Sequence, residues 1–200
     1  MLDWLKNIHK EYPEFWKQYL SKYETKKKSN RFVILSVETS GLHIGKDVIL
    51  SLASVAIVNE AIIINDSFDV VLLQYKYLHD NELPNEYLVE SKHTKLAEPQ
   101  AIQAFVEYLG NSVLVGHRVQ FDVDMINEAL EKMHCGRLKN EALDIEIMYK
   151  KLKEVHDKSY PLDQICTAFK VPNSDRHTSS EDAFNIALLF LKLKSRLGIH

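Results

Sequence analysis

The run Arg-Phe-Val-Ile-Leu-Ser-Val at residues 31–37 constrains the fold more than any other stretch. Near-continuous apolar residues over so short a span suit a strand buried on both faces, and such a strand needs a layer of structure above and below it. Two more β-rich runs follow at residues 48–58 and 61–73, separated only by Asn59 and Glu60, a spacing that predicts a hairpin. The chain therefore opens its main domain with a three-stranded meander.

Residues 74–98 are polar and irregular, and helical periodicity returns at 99–109. Residues 112–115 read as a short strand. A helix is expected over 121–133, with Met125, Ile126, Ala129, Leu130 and Met133 on one side. A strand at 142–145 precedes helices near 146–155 and 161–169. The last helix, near 180–197, carries the stripe Ala183, Ile186, Ala187, Phe190 and Leu191. Strands first, then strands alternating with helices, predict an α/β fold with a mixed sheet covered by helices.

Ahead of this lies a helical extension. Leu2, Leu5 and Ile8 share one face, and Pro13 suits the first turn of a second helix that carries Phe15, Trp16, Tyr19, Leu20 and Tyr23. The polar, basic residues 24–30 read as a linker, which divides the chain into an extension (1–30) and a main domain (31–200). So many aromatics need a surface to cover. The main domain is the expected one, and docking to a partner is the alternative.

With 46% apolar and 26% charged residues, the chain is no disordered or low-complexity polypeptide. Lys and Arg total 25 against 28 Asp and Glu, a net charge of −3, so any nucleic-acid binding must be local, or weak and salt-dependent. Cys135 and Cys166 make neither a disulfide framework nor a zinc spacing, and read as thiols of a reducing compartment. No apolar stretch approaches the roughly 20 residues of a membrane span, and the charged N-terminus is unlike a secretory signal. A cytoplasmic protein without a membrane contact is expected.

Three segments carry possible chemistry. The first, SVETSGL, ends the first strand, where Ser36 and Glu38 project on one face. A carboxylate directly after buried apolar residues needs a partner or a metal, unless it is a turn-initiating acid in water. The second, GHRVQFD, leads into a helix, where Asp122 suits the helix dipole whatever else it does. The third, HTSSEDA, runs into the final helix. There Thr178 with Glu181, or Ser179 with Asp182, has the spacing of a capping box, and His177 alone is an ordinary loop histidine.

Each motif is weak alone, but their order and spacing together resemble the DEDD superfamily of 3′–5′ exonucleases. The likeness is to the subgroup with a catalytic histidine, which includes the proofreading (epsilon) subunit of bacterial DNA polymerase III. The resemblance covers residues 31 to about 195. It implies a ribonuclease-H-like fold with a five-stranded mixed sheet flanked by helices, and a site for two Mg²⁺ or Mn²⁺ ions. Glu38 and Asp182 would hold the first ion, Asp122 would act largely through waters, and His177 would be the general base. Two hard cations held by oxygen ligands neutralise the charge that builds on phosphorus and leaving-group oxygens, and a near-neutral imidazole suits proton abstraction from water.

The implied partner is a single-stranded nucleic acid 3′ end, DNA before RNA, with a polymerase subunit as a second partner. Thr39, Leu42, His43 and Arg118 are the candidate substrate contacts. One departure stands out. The family's first motif begins with Asp, and here that position is Ser36, an uncharged hydroxyl and a poor Mg²⁺ ligand. It predicts a weakened second ion and impaired hydrolysis; no acid upstream on the strand replaces it, the closest being Glu38 itself, and Asp124 or Glu181 are the candidates for recruitment. The other reading from the same departure is a degenerate exonuclease fold that binds nucleic acid or protein without cutting.

Overall fold

In the computed structural model, which describes residues 11–24, 29–74, 94–172 and 178–199, the first apolar run forms strand β1 (Arg31–Thr39), with Val33, Ile34 and Leu35 wholly shielded from solvent. Strands β2 (Ile49–Val58) and β3 (Ala61–Leu73) follow as the expected antiparallel meander. Their turn holds Asn59 at φ 50° and Glu60 at φ 62°, the consecutive left-handed pair that a tight hairpin requires. Strand β4 (Thr94–Ala97) pairs parallel to β3, β5 (Val113–Gly116) parallel to β1, and β6 (Ala142–Asp144) parallel to β5.

Among the described residues the sheet runs β4-β3-β2-β1-β5-β6. The mixed α/β sheet expected from the sequence is present, with six strands in place of five. The additional strand, β4, lies at the edge, inside a stretch that reads as polar and irregular. Its residues Thr-Lys-Leu-Ala are too few to show a period, and their pairing with residues 70–73 is what makes them a strand.

Six helices accompany the sheet among the described residues: α1 (Glu14–Ser21), α2 (Glu98–Leu109), α3 (Val119–Lys132), α4 (Ile145–Lys153), α5 (Leu162–Phe169) and α6 (Ser179–Leu197). Alternation along β1 sorts them into two layers. Val33 and Leu35 join the core built with α1, α2 and α3, whereas Ile34 joins the core built with α4, α5 and α6. The buried stripe of α6 is Ala183, Ile186, Ala187 and Phe190 as expected, completed by Leu189 and Leu193. Leu191, expected in the stripe, is only half-buried, because the helix meets the sheet along its neighbours' face.

The aromatic helix α1 covers the main domain. Trp16 and Tyr19 are each 1% exposed and stack with ring centroids 4.6 Å apart. The Tyr19 hydroxyl accepts from the Lys139 N–H at 2.6 Å and donates to Asn140 Oδ1 at 2.8 Å. The Asn140 amide in turn donates to Gly110 O and Ser112 O at 3.0 and 2.7 Å. The helix expected around Leu2, Leu5 and Ile8, and linker residues 25–28, lie outside the described residues. Among the described residues no helix is long and apolar enough to cross a membrane.

Candidate active site

β5 pairs with β1 only as far as Val115 opposite Ile34, so Ser36 to Thr39 project past it at the rim where the parallel strands β1, β5 and β6 all end. Ser36 and Glu38 alternate onto the face of Ile34, the side that α6 covers. Opposite Glu38 in β2 stands Ser51, whose hydroxyl donates to Glu38 Oε2 at 2.8 Å. With that proton committed, Ser51 accepts from the Ser179 hydroxyl 2.9 Å away. Ser179 is the first residue of α6, so the helix that carries Asp182 starts against the Glu38 end of β1.

Of the two capping pairs the spacing allows, Thr178 and Glu181 form the cap: Thr178 Oγ1 accepts from the Glu181 N–H at 3.2 Å. Asp182 lies in the same first turn, its N–H donating to Thr178 O at 2.9 Å. Burial, with the nearby charges of Asp163 and Asp182, pushes the Cys166 thiol up to about 11, so this cysteine is an inert core residue.

Asp122 reaches the rim by another route. At Gly116 a Cβ would sit 3.1 Å from Leu35 O and 3.0 Å from the Val119 Cβ, so glycine lets the β5–α3 turn press against β1 one residue before Ser36. Arg118 completes the turn in the left-handed region, at φ 55°. Asp144, at the end of β6, then starts two helices: Oδ2 accepts from the Val119 N–H at 3.1 Å and Oδ1 from the Glu146 N–H at 2.8 Å. Asp122 lies in the first turn of α3, as expected, but is buried rather than solvated. Burial first, and the Asp144 charge second, hold its carboxyl well above the usual carboxylate range.

The turn after β1 is organised by a residue the motif reading passed over, Asp47. Its Oδ2 accepts from the His43 N–H at 2.7 Å and its Oδ1 from the Ser40 hydroxyl at 3.0 Å. The His43 N–H leads the interactions that lower the Asp47 carboxyl below its ordinary value. Thr39 Oγ1 donates to Gly41 O at 2.7 Å, and Leu42 stands 80% exposed at the tip, with His43 also exposed. Arg118 is engaged by Glu146 Oε2 at 3.0 Å and Ser159 Oγ at 2.7 Å. Asp124, one of the acids the resemblance offers in place of Ser36, is held by Arg137 and Gln120.

His177 lies outside the described residues. Among the described residues no group of three or more His, Cys, Asp or Glu side chains is disposed to hold a metal ion. Structurally, then, Glu38 is joined to the start of the Asp182 helix, and the turn before Asp122 abuts β1. Ser51, which makes the first connection, and Asp144, which caps the helix that carries Asp122, carry little signal in the sequence beyond an acid ahead of a helix at Asp144.

The family model described as "Exonuclease" (RNase_T) matches residues 33–190. The chain is 27% identical over 171 residues to a PolC-type DNA polymerase III of Latilactobacillus sakei, covering 83% of this chain and 11% of the relative. It is 28% identical over 169 residues to the PolC-type DNA polymerase III of Caldanaerobacter subterraneus, covering 83% and 12%. The chain thus spans about an eighth or less of the length of these curated relatives. Among solved structures, E. coli exonuclease I in complex with a dT13 oligonucleotide superposes with TM-score 0.65 at 14% identity, over 85% of this chain and 42% of that one. The exonuclease I of Methylocaldum szegediense superposes with TM-score 0.64 at 15% identity, over 86% and 42%.

Proposed function

The chain belongs to the exonuclease (RNase_T) family, and from that premise we propose that it is a 3′–5′ exonuclease of single-stranded DNA ends whose turnover is limited by Ser36. The observation that carries the proposal is the Glu38–Ser51–Ser179 chain of hydrogen bonds, which seats the Asp182 helix at the projecting end of β1. DNA is favoured over RNA by the oligonucleotide bound to exonuclease I and by the polymerase relatives, which also support association with a polymerase.

The donor chemistry suits one hard cation better than two. Glu38 and Asp182 would hold it, with Asp122 acting through water, while Ser36 offers no charge for a second ion. Such a cation supplies positive charge to the phosphoryl oxygens and lowers the pKa of water. Within the chain, Glu38 is oriented by Ser51, Asp122 is kept in a dry first turn, and His177 would draw the proton from the attacking water. Leu42, exposed at the tip of the Asp47-braced turn, would contact the terminal base.

The test is hydrolysis of a 3′-ended single strand with Mg²⁺ and with Mn²⁺, run beside Ser36→Asp. The substitution restores a charged ligand, and should raise the rate by about a hundredfold or more, the scale on which one charged group at a reacting centre acts. A second reading, a fold kept for binding, is favoured by the absence of a three-acid cluster among the described residues. It prevails if neither chain hydrolyses while both retain strand binding.

A further inference from the structure

The C-terminal ends of α4, α5 and α6 enclose a groove of about 630 Å³, far from the rim. Tyr149 and Phe169 form its floor in edge contact, ring centroids 5.9 Å apart. Lys153, Lys170, Lys192 and Arg196 line its walls, and no carboxylate does, in a chain whose acids outnumber its bases 28 to 25. All four cations are exposed, and none forms an ion pair with a carboxylate among the described residues.

Helix-end electrostatics explains part of this: Lys153 and Arg196 stand in the last turns of α4 and α6, where cations complement the dipole. It does not explain Lys192, one turn before Arg196 on the same face, with Leu188, Leu189 and Ser195 at the other neighbouring positions. Like charges four apart destabilise a helix. Their convergence with Lys170 of a second helix end raises a positive potential that an anion would relieve.

The groove's place in the fold suggests which anion. Lys194, between Lys192 and Arg196, pairs with Glu60 in the β2–β3 turn at 3.0 Å and lies 5.7 Å from the Phe32 ring at the start of β1. The groove therefore lies towards the end of the sheet opposite the rim. Its α6 residues begin twelve and end seventeen positions after Ser179, about 18–26 Å along the helix. That is about five to eight nucleotides at the stacked spacing of 3.4 Å.

We propose that this groove is a second nucleic-acid site, which grips the phosphodiester backbone of the strand whose 3′ end lies at the rim. The assignment rests on the proposed nuclease function for the identity of the ligand. Tyr149 is 5% exposed and its ring lies 5.7 Å from Lys153 Nζ, so the cationic walls are the foremost contact. Repeated phosphates match walls that carry four cations and no carboxylate.

The test is fluorescence anisotropy of a labelled 20-nucleotide oligo-dT with the full chain in EDTA, over a series of salt concentrations. The triple variant Lys170→Gln, Lys192→Gln, Arg196→Gln should weaken binding about tenfold or more and reduce the salt slope by about 2, the value for three phosphate contacts on a single strand. Circular dichroism should be unchanged, and Lys170→Arg with Lys192→Arg should retain the affinity. Unchanged affinity and slope in the triple variant would overturn the proposal. So would an equal loss of polyglutamate binding, which would make this an acidic-peptide site. The assay reads binding without turnover, so a chain that cuts nothing yet loses the strand with these cations keeps the groove and loses only the nuclease function.

Discussion

The Glu146 carboxylate accepts from the Tyr160 N–H at 2.9 Å and pairs with Lys150 Nζ and Arg118 Nε, each at 3.0 Å. Burial alone would raise its pKa, but the Tyr160 N–H, Lys150 and Arg118 outweigh burial and bring it down to about 2. A depressed carboxylate stabilises the folded state above its unfolded pKa near 4.5, and that stabilisation is lost as pH falls towards 2. A shift of this size corresponds to about 3 kcal/mol at neutral pH, falling to about 1 kcal/mol near pH 3. Urea unfolding should therefore show a deficit for Glu146→Gln that shrinks by about 2 kcal/mol between pH 7 and pH 3. A deficit independent of pH would mean that packing, not charge, is what Glu146 contributes. Part of this cluster was legible, since Lys150 stands four residues on, at helical pairing distance. Arg118 and Tyr160 come from separate loops, and no local spacing announces them.

Helix α1 was legible as an amphipathic helix from Pro13 and its aromatics, and the main domain as the surface it covers, but not which residues of that domain receive it. Burial of Trp16 and Tyr19 against residues 109–140 makes α1 a wall of the core. Trp16→Ala should cost about 3–5 kcal/mol in urea unfolding. Tyr19→Phe should cost about 1–3 kcal/mol, because it strips the acceptor from the Lys139 N–H and the donor from Asn140. Near-neutral values for both would return α1 to the status of an appendage. Among the strands, β1 to β3 announced themselves because long runs rich in apolar and β-branched residues mark strands by composition. β4 did not, because a four-residue edge strand owes its conformation to the neighbour it pairs with.

Long-range closure decides the geometry of the rim. Glu38 and Ser51 are thirteen residues apart, and Ser179 is 128 residues from Ser51, yet one hydroxyl joins them. A double-mutant cycle of Glu38→Gln and Ser51→Ala should give a coupling of about 1.5–3 kcal/mol, as expected for a hydrogen bond to a charged acceptor. Additive losses would mean the two ends are not joined. The motifs at residues 36–42, 116–122 and 177–183 could be read from the chain because their residue types and order are local properties. So could the two-layered α/β plan, which follows from the hydrophobic periods. What no local pattern contains is which buried acid has lost its water and which cation is already spoken for. Asp122 is dry because α3 packs against β1 and Asp144, and Arg118 is committed because Glu146 of α4 and Ser159 of the loop beyond it reach it. Desolvation and pairing depend on distances between segments remote in the chain, and those distances exist only after the sheet has closed.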